Sequence, residues 1–306
     1  MEYIILIISL AGIVFGADYL VAGAVSIARK FKVSDFVIGA AIVGVGTSMP
    51  ELVVSFIGAL NCNPDVAIGN VVGSNIFNVL GILGLTALFF PIAVSKTNMK
   101  FELPVCIGVS VLLTLLVFNF FAGGAPVISR PDGIVLLLCF ALFMWYSFYR
   151  DRKAGKTADE APAEEDKTPL WLALVKVVGG LAVLITSCDF FVDNAVLIAK
   201  SFGVNDAFIS LTLIACGTSL PELAASVAAA LKKNTQLALG NVIGSNIFNI
   251  TWILGLSSQV MPLNSSGITA VDYCVMIAAA IIPMIIGFKG KIGRTAGGFL
   301  FICFIA

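Results

Sequence analysis

Apolar runs broken by short polar stretches fill the chain from end to end. A helix needs about 20 apolar residues to cross the hydrocarbon core of a bilayer. By that measure ten segments are predicted: 3–28, 37–60, 66–92, 102–121, 132–149, 170–199, 207–231, 236–260, 269–288 and 295–306. The first opens with Glu2 instead of a basic stretch, contains Asp18 and leads into no soluble domain, so it reads as a span and not as a signal peptide. The tenth holds 12 residues, and a complete crossing is expected to need chain beyond Ala306. The predicted fold class is an all-α polytopic membrane protein of ten transmembrane helices, the tenth truncated.

The polar breaks orient these spans. When the loops are numbered alternately, the set 29–36, 93–101, 150–169, 232–235 and 289–294 holds 15 of the 18 basic residues. The opposite set holds Arg130 and Lys200, and Lys176 falls inside a span. Basic loops stay in the cytoplasm, which puts the N-terminus outside, as expected of a multi-pass protein in the plasma (inner) membrane of a prokaryote. The stretch 150–169, rich in Ala, Glu, Pro and Lys, has no means of building a core and reads as a flexible cytoplasmic linker.

Composition narrows the chemistry. Of the 306 residues 59% are apolar and 12% charged, and mean hydropathy is +1.05; an average soluble domain has about a quarter of its residues charged. The chain has no histidine, which removes HExxH zinc hydrolysis and the Ser-His-Asp triad. Acidic and basic residues tie at 18 each, so no basic field attracts nucleic acid. The seven cysteines are scattered singly through apolar runs and read as small buried hydrophobes. Nothing points to a cofactor or to an obligatory protein partner; the bilayer itself is the surrounding medium.

An internal repeat sets the architecture. Residues 33–85 align without gaps on 204–256 at an offset of 171, with 27 of 53 positions identical. The strongest blocks are GTSMPEL (46–52) against GTSLPEL (217–223), and GNVVGSNIFN (69–78) against GNVIGSNIFN (240–249). Farther upstream, Asp18 falls opposite Asp189 and Val21 opposite Val192. Five spans separate equivalent positions, an odd number, so the two copies enter the membrane in opposite directions. The predicted organisation is a first five-helix repeat (1–149), the linker (150–169) and a second, inverted repeat (170–306). Inverted repeats are common in secondary transporters, with the substrate site at their interface near the midplane.

Each repeat carries one glutamate inside an apolar span, Glu51 and Glu222. An ionisable side chain at a helix centre costs about 2.5–3.5 kcal/mol on insertion scales, so such residues face a cavity or a partner. No Lys or Arg lies in the interior of either span, which leaves snorkelling or lysine pairing the weaker account. Pro50 and Pro221 cannot donate to the carbonyls of Gly46 and Gly217, so each helix must bend or open there. Opening is expected to free backbone oxygens around Gly44–Thr47 and Ala215–Thr218, beside the hydroxyls and one turn from the carboxylate. Carbonyl, hydroxyl and carboxylate oxygens without nitrogen or sulfur suit hard cations; Ca2+ takes roughly 6–8 of them. In the second block Asn70, Ser74 and Asn78 fall at i, i+4 and i+8, one polar stripe on a helix, and Asn241, Ser245 and Asn249 repeat it. Ser74, Asn78, Ser245 and Asn249 read as cation contacts; for Asn70, Asn75, Asn241 and Asn246, gluing helices together is an equal alternative. Gly69 and Gly73 are a small-xxx-small pair expected to let a neighbouring helix approach. Asp18 and Asp189 either hydrate an access path or pack helices.

The paired GTSxPE and GNxxGSNxxN blocks resemble the two α-repeats of the cation/calcium exchanger superfamily, in particular its small prokaryotic Na+/Ca2+ exchangers. The likeness covers nearly the whole chain. It implies that Glu51 and Glu222 are the shared Ca2+/Na+ carboxylates and that Thr47, Ser48, Thr218 and Ser219 supply backbone or hydroxyl oxygens. It further implies that the carbonyls of Gly44 and Ala215 join them, that Ser74 and Ser245 complete outer sodium sites, and that helices one and six slide as gates against an eight-helix core. The chain departs from the pattern at Asn249, where several members carry an acid. With amides at both 78 and 249, the centre holds two carboxylates only, which argues against proton coupling and leaves K+ dependence without support.

Two negative charges are neutralised by one Ca2+ or by two Na+, and a third Na+ would make exchange electrogenic. The usual ratio of three to one is what the resemblance implies. A Ca2+/H+ antiporter, or an exchanger of Na+ for another divalent cation, fits the same architecture. A channel fits the broken inverted helices less well, and an intramembrane hydrolase lacks both histidine and a second acid beside either glutamate.

Overall fold

The computed structural model describes residues 2–118, 126–154, 168–203, 215–265 and 267–305. It is almost wholly helical. The helices are α1 (Glu2–Phe31), α2 (Asp35–Thr47), α3 (Met49–Leu60), α4 (Pro64–Phe89), α5 (Asn98–Val117), α6 (Arg130–Ala154), α7 (Leu170–Ser201), α8 (Leu220–Leu231), α9 (Thr235–Val260), α10 (Ala270–Ile286) and α11 (Arg294–Ile305). By length and composition seven of them can cross a membrane, and an eighth span arises if α2 and α3 count as one helix bent by 50°. The chain is thus an all-α polytopic membrane protein. The remaining apolar helices, α8 and α11, have 12 residues each. Part of the seventh predicted segment (207–214), residues 119–121 of the fourth, most of the linker (155–167) and Ala306 lie outside the described residues.

Local signals account for the helix ends. α1 begins with Glu2 and ends with Arg29 and Lys30, charges that complement the helix dipole. Ser34 caps α2 by accepting from the Val37 amide, and Thr269 with Asp272 forms a capping box on α10. Left-handed residues mark the turns at Lys32, Cys62, Gly203 and Lys233. These fall in pairs at the same offset of 171, so the repeat extends to backbone conformation.

The first five residues of the expected flexible linker are instead the last turn of α6. Arg150 pairs with the buried Glu102 at 2.5 Å, and Asp151 accepts from the Ser34 amide and hydroxyl at 2.9 and 2.5 Å. Those anchors hold a turn that composition alone would leave unstructured.

α1 and α7 run antiparallel and in contact along their length, because glycines let their backbones touch. A Cβ on Gly16 would lie 2.6 Å from the Leu184 nitrogen, and one on Gly180 2.5 Å from the Leu20 nitrogen. The second half offers a similar approach of α9 to α2, where a Cβ on Gly240 would meet the Phe36 carbonyl at 2.2 Å. The expected close approach at Gly69 and Gly73 is seen only in part: Gly69 meets Ile268, while Gly73 has no described neighbour within 4 Å.

Contacts between loops respect the alternation of sides read from charge. Two short antiparallel pairs join the halves, Ile92–Ala93 (β1) with Lys291–Ile292 (β4) and Val127–Ile128 (β2) with Leu263–Asn264 (β3). The first joins two basic loops and the second two loops of the opposite set. Asn234 to Asp35 and Gln236 to Ala93 lie with the first, and Gly267 to Asp65 with the second.

Gly180→Val forces two backbones apart, and overpacking of this kind costs about 1–3 kcal/mol. The variant is expected to melt at a lower temperature than the parent in detergent, while Gly179→Val, a position with no neighbour within 4 Å, is expected to melt as the parent does.

Candidate functional site

The centre of the molecule is built from the two proline bends. At the first, Ser48 (φ −82°, ψ 11°) interrupts the helix between α2 and α3, with Pro50 in the first turn of α3. Ser219 (φ −93°, ψ 8°) and Pro221 do the same before α8. Each bend leaves its glutamate in the first turn of a new helix that starts deep inside the protein, where backbone amides favour a negative charge. Glu51 and Glu222 are both fully buried.

The bends do not free every oxygen expected. The Gly44 carbonyl still accepts from the Ser48 amide at 3.1 Å and also from the Ser245 hydroxyl at 3.3 Å. Ser48 adopts turn geometry that preserves this i to i−4 bond.

The carboxylates are wired crosswise. Ser48 Oγ donates to Glu222 Oε1 and Ser219 Oγ to Glu51 Oε1, both at 2.7 Å, so each bend serves the acid of the opposite half. Ser74 Oγ lies 3.2 Å from Ser219 Oγ. The second oxygens, Glu51 Oε2 and Glu222 Oε2, are buried and have no hydrogen-bond partner among the described residues. The same holds for Asn78 Oδ1, Asn249 Oδ1 and Thr218 Oγ1.

Asparagines brace this arrangement. Asn70 Nδ2 donates to the Glu51 carbonyl at 3.1 Å and to Ser55 Oγ at 2.9 Å. Asn241 Nδ2 donates likewise to the Glu222 carbonyl at 3.0 Å and to Ser226 Oγ at 2.8 Å. Thr47 Oγ1 lies 2.9 Å from the Val43 carbonyl and 3.3 Å from Asn241 Oδ1. Farther along, Asn75 and Asn246 each donate to the other's backbone carbonyl at 3.1 Å. Asn78 Nδ2 then donates to Asn246 Oδ1 at 3.0 Å, and Asn249 Nδ2 to Asn75 Oδ1 at 3.1 Å. Those bonds use the amide donors of Asn78 and Asn249 and leave their oxygens over. π turns at Phe77–Leu83 and Asn249–Ile253 carry the two residues.

Direct hydrogen bonds therefore join Glu222 to Ser48, and Glu51 to Ser219 and through it to Ser74, while Gly44 and Ser245 meet each other. Asn70, Asn75, Asn241 and Asn246 settle as braces. Ala215 begins a short helical turn, Ala215–Gly217. Ser55 and Ser226 escaped the sequence reading, although both sit four residues after a glutamate and occupy matched repeat positions. The described salt bridges lie elsewhere, so no Lys or Arg neutralises the two carboxylates. Among the described residues no group of three or more His, Cys, Asp or Glu forms. A buried centre with spare oxygens, two of them carboxylate, can hold a hard cation.

Broken helices offering oxygen ligands inside a membrane bundle define the class: a cation transporter and not an enzyme. Comparison with known proteins places the chain within that class. The sodium/calcium exchanger protein family model matches residues 1–149 and 172–306, and the chain belongs to this family. It is 41% identical to the candidate antiporter CaxA of Alkalimonas amylolytica, over 99% of this chain and 96% of that protein. It is 32% identical to the sodium/calcium exchanger MaX1 of Methanosarcina acetivorans, over 100% and 97% of the two chains. Solved structures of the sodium-calcium exchanger NCX_Mj superpose with a TM-score of 0.84 at 32% identity, covering 99% of this chain and 96% of that one.

Asn241→Ala removes the brace behind Glu222 and leaves its hydrogen-bonding partners short. Loss of such an outer partner typically weakens metal affinity by about 10–100-fold. Calorimetric titration of the purified protein with Ca2+ is expected to show a drop in that range, with helix content unchanged.

Proposed function

We propose that the protein exchanges Na+ for Ca2+ across the membrane by alternating access, with both ions competing for the oxygens of the central site. One observation carries the reading: two buried carboxylates, each with one oxygen bonded to the opposite repeat's serine and the other left without a donor. The proposed ligands are Glu51 and Glu222, with Thr47, Ser48, Thr218 and Ser219 at the bends, Ser74, Ser245, Asn78 and Asn249 on α4 and α9, and the carbonyls of Gly44 and Ala215. In this reading the helices form ten spans in two inverted repeats, 1–149 and 170–306, with the N-terminus outside and the 150–169 linker in the cytoplasm of a prokaryotic inner membrane. The same-side pairing of loops supports that arrangement.

Charge sets the energetics. Ca2+ neutralises the two carboxylates, and so do two Na+; at three Na+ per Ca2+ the loaded carrier bears one positive charge and the cycle responds to membrane potential. The empty site carries two uncompensated charges and is costly to move through the barrier, which couples the flux of one ion to the other. Amides at 78 and 249 leave no third acid to carry a proton. α1 and α7, packed on each other, are the proposed moving pair. Solved structures of NCX_Mj were obtained with Na+ and with Ca2+ or Sr2+.

The test is 45Ca2+ uptake into proteoliposomes. Uptake is expected to require internal Na+, to respond to membrane potential and to ignore a pH gradient imposed without Na+. Glu51→Gln and Glu222→Gln are expected to reduce it to the level of protein-free vesicles while the protein still inserts and elutes as a single species. Uptake driven by a pH gradient alone, or parental flux in either variant, overturns the proposal.

A further inference from the structure

The two-fold pairing that governs the centre fails at the α1/α7 pair, and the failure has a charge in it. Lys232, just past the end of α8, reaches Asp18 of α1: its Nζ lies 2.7 Å from Asp18 Oδ1 and donates to the Asp18 backbone carbonyl at 2.8 Å. The repeat maps Asp18 onto Asp189 of α7, but it maps Lys232 onto Asn61, a neutral amide past the end of α3. The mirrored ion pair therefore has an acid and no cation.

Packing follows the same asymmetry. α1 lies along α8, whereas α7 makes no comparable contact with α3. A cavity of about 330 Å3 opens on α3, lined by Val53, Val54, Ile57, Gly58, Asn61 and Asn63 among others. Val53 and Ile57 are 54% and 48% exposed there, while their counterparts Ala224 and Ala228 are half-buried on α8. Lys232 lies in a basic loop and Asn61 in a loop of the opposite set, so α1 covers the half-helix that ends on the basic side while α7 leaves its counterpart α3 uncovered.

In inverted-repeat transporters alternating access is largely rigid-body rocking or gating of one bundle against the other around a fixed site, and the second state is taken to be the one in which the two halves exchange their packing. In that exchange Asp189 comes to Asn61, and Asp18 leaves Lys232. We infer that the Asp18–Lys232 ion pair is a one-sided latch: it favours the state closed on the basic, cytoplasmic side, and the opposite state has no equivalent because residue 61 is Asn. The inference rests on the alternating-access reading above, without depending on which ions move. Both side chains are partly exposed, at 34% and 56%, so the latch is a bias and not a block. A half-exposed pair shifts a two-state ratio by about two- to fivefold.

The test is a distance distribution between spin labels at Leu60 and Leu197, the outer ends of α3 and α7, measured by pulsed electron resonance. The full chain is used in nanodiscs without Na+ or Ca2+, with its native cysteines replaced. The unsubstituted sequence is expected to favour the long distance. Lys232→Asn is expected to raise the short-distance fraction about two- to fivefold, and adding Asn61→Lys to raise it further by moving the cation to the other side. The charge swap Asp18→Lys/Lys232→Asp is expected to restore the original distribution. Distributions unchanged in both Lys232→Asn and Lys232→Asn/Asn61→Lys, or a swap that behaves like the single loss, overturn the latch. A distance readout separates this failure from a failure of Na+/Ca2+ exchange, which flux alone reports.

Discussion

Two carboxylates that must sit in hydrocarbon constrain everything around them. Neither repeat can satisfy its own glutamate: the hydroxyl for Glu51 comes from Ser219, and the one for Glu222 comes from Ser48. An isolated half would leave an acid buried without a donor, at a cost of about 1–3 kcal/mol or more for a charged group. Assembly of the two halves is therefore a condition for burying the acids at all. The proline bends follow from the same need, since they end one helix and begin another beside the carboxylate, where unsatisfied amides supply a favourable field.

The asparagines solve a second problem, how to leave an oxygen available in a place where polar groups seek partners. Asn78 and Asn249 spend their donors on Asn246 and Asn75, which are themselves locked to each other's backbone. Only acceptors remain over, and an acceptor without a donor in a dry interior is a place for a cation. The π turns beneath Asn78 and Asn249 belong to the same design, since an extra residue in a turn releases a helix from regular side-chain spacing.

Symmetry at the centre and asymmetry at the rim serve different ends. Reciprocal bonds give the two carboxylates equivalent surroundings. The glycine-lined contact of α1 with α7 is smooth enough for the pair to act as one body. Its packing is unequal, close along α8 and slight against α3.

The membrane class, the repeat and the paired glutamates were all legible in the one-dimensional pattern. Each depends on something a linear chain records: the length of apolar runs and the offset between like residues. Asn70 and Asn241 stood in the sequence as equally good ligands or glue, because a helical stripe does not say which neighbour it meets. Only packing turned them toward the glutamate backbones and assigned Ser55 and Ser226 to the same brace. The crosswise bonds, the π turns, the helical start of the linker and the Asp18–Lys232 contact likewise came from tertiary structure. Each joins residues whose separation in sequence bears no periodic relation to their meeting in space, and their partners were fixed by how two inverted halves close on one another.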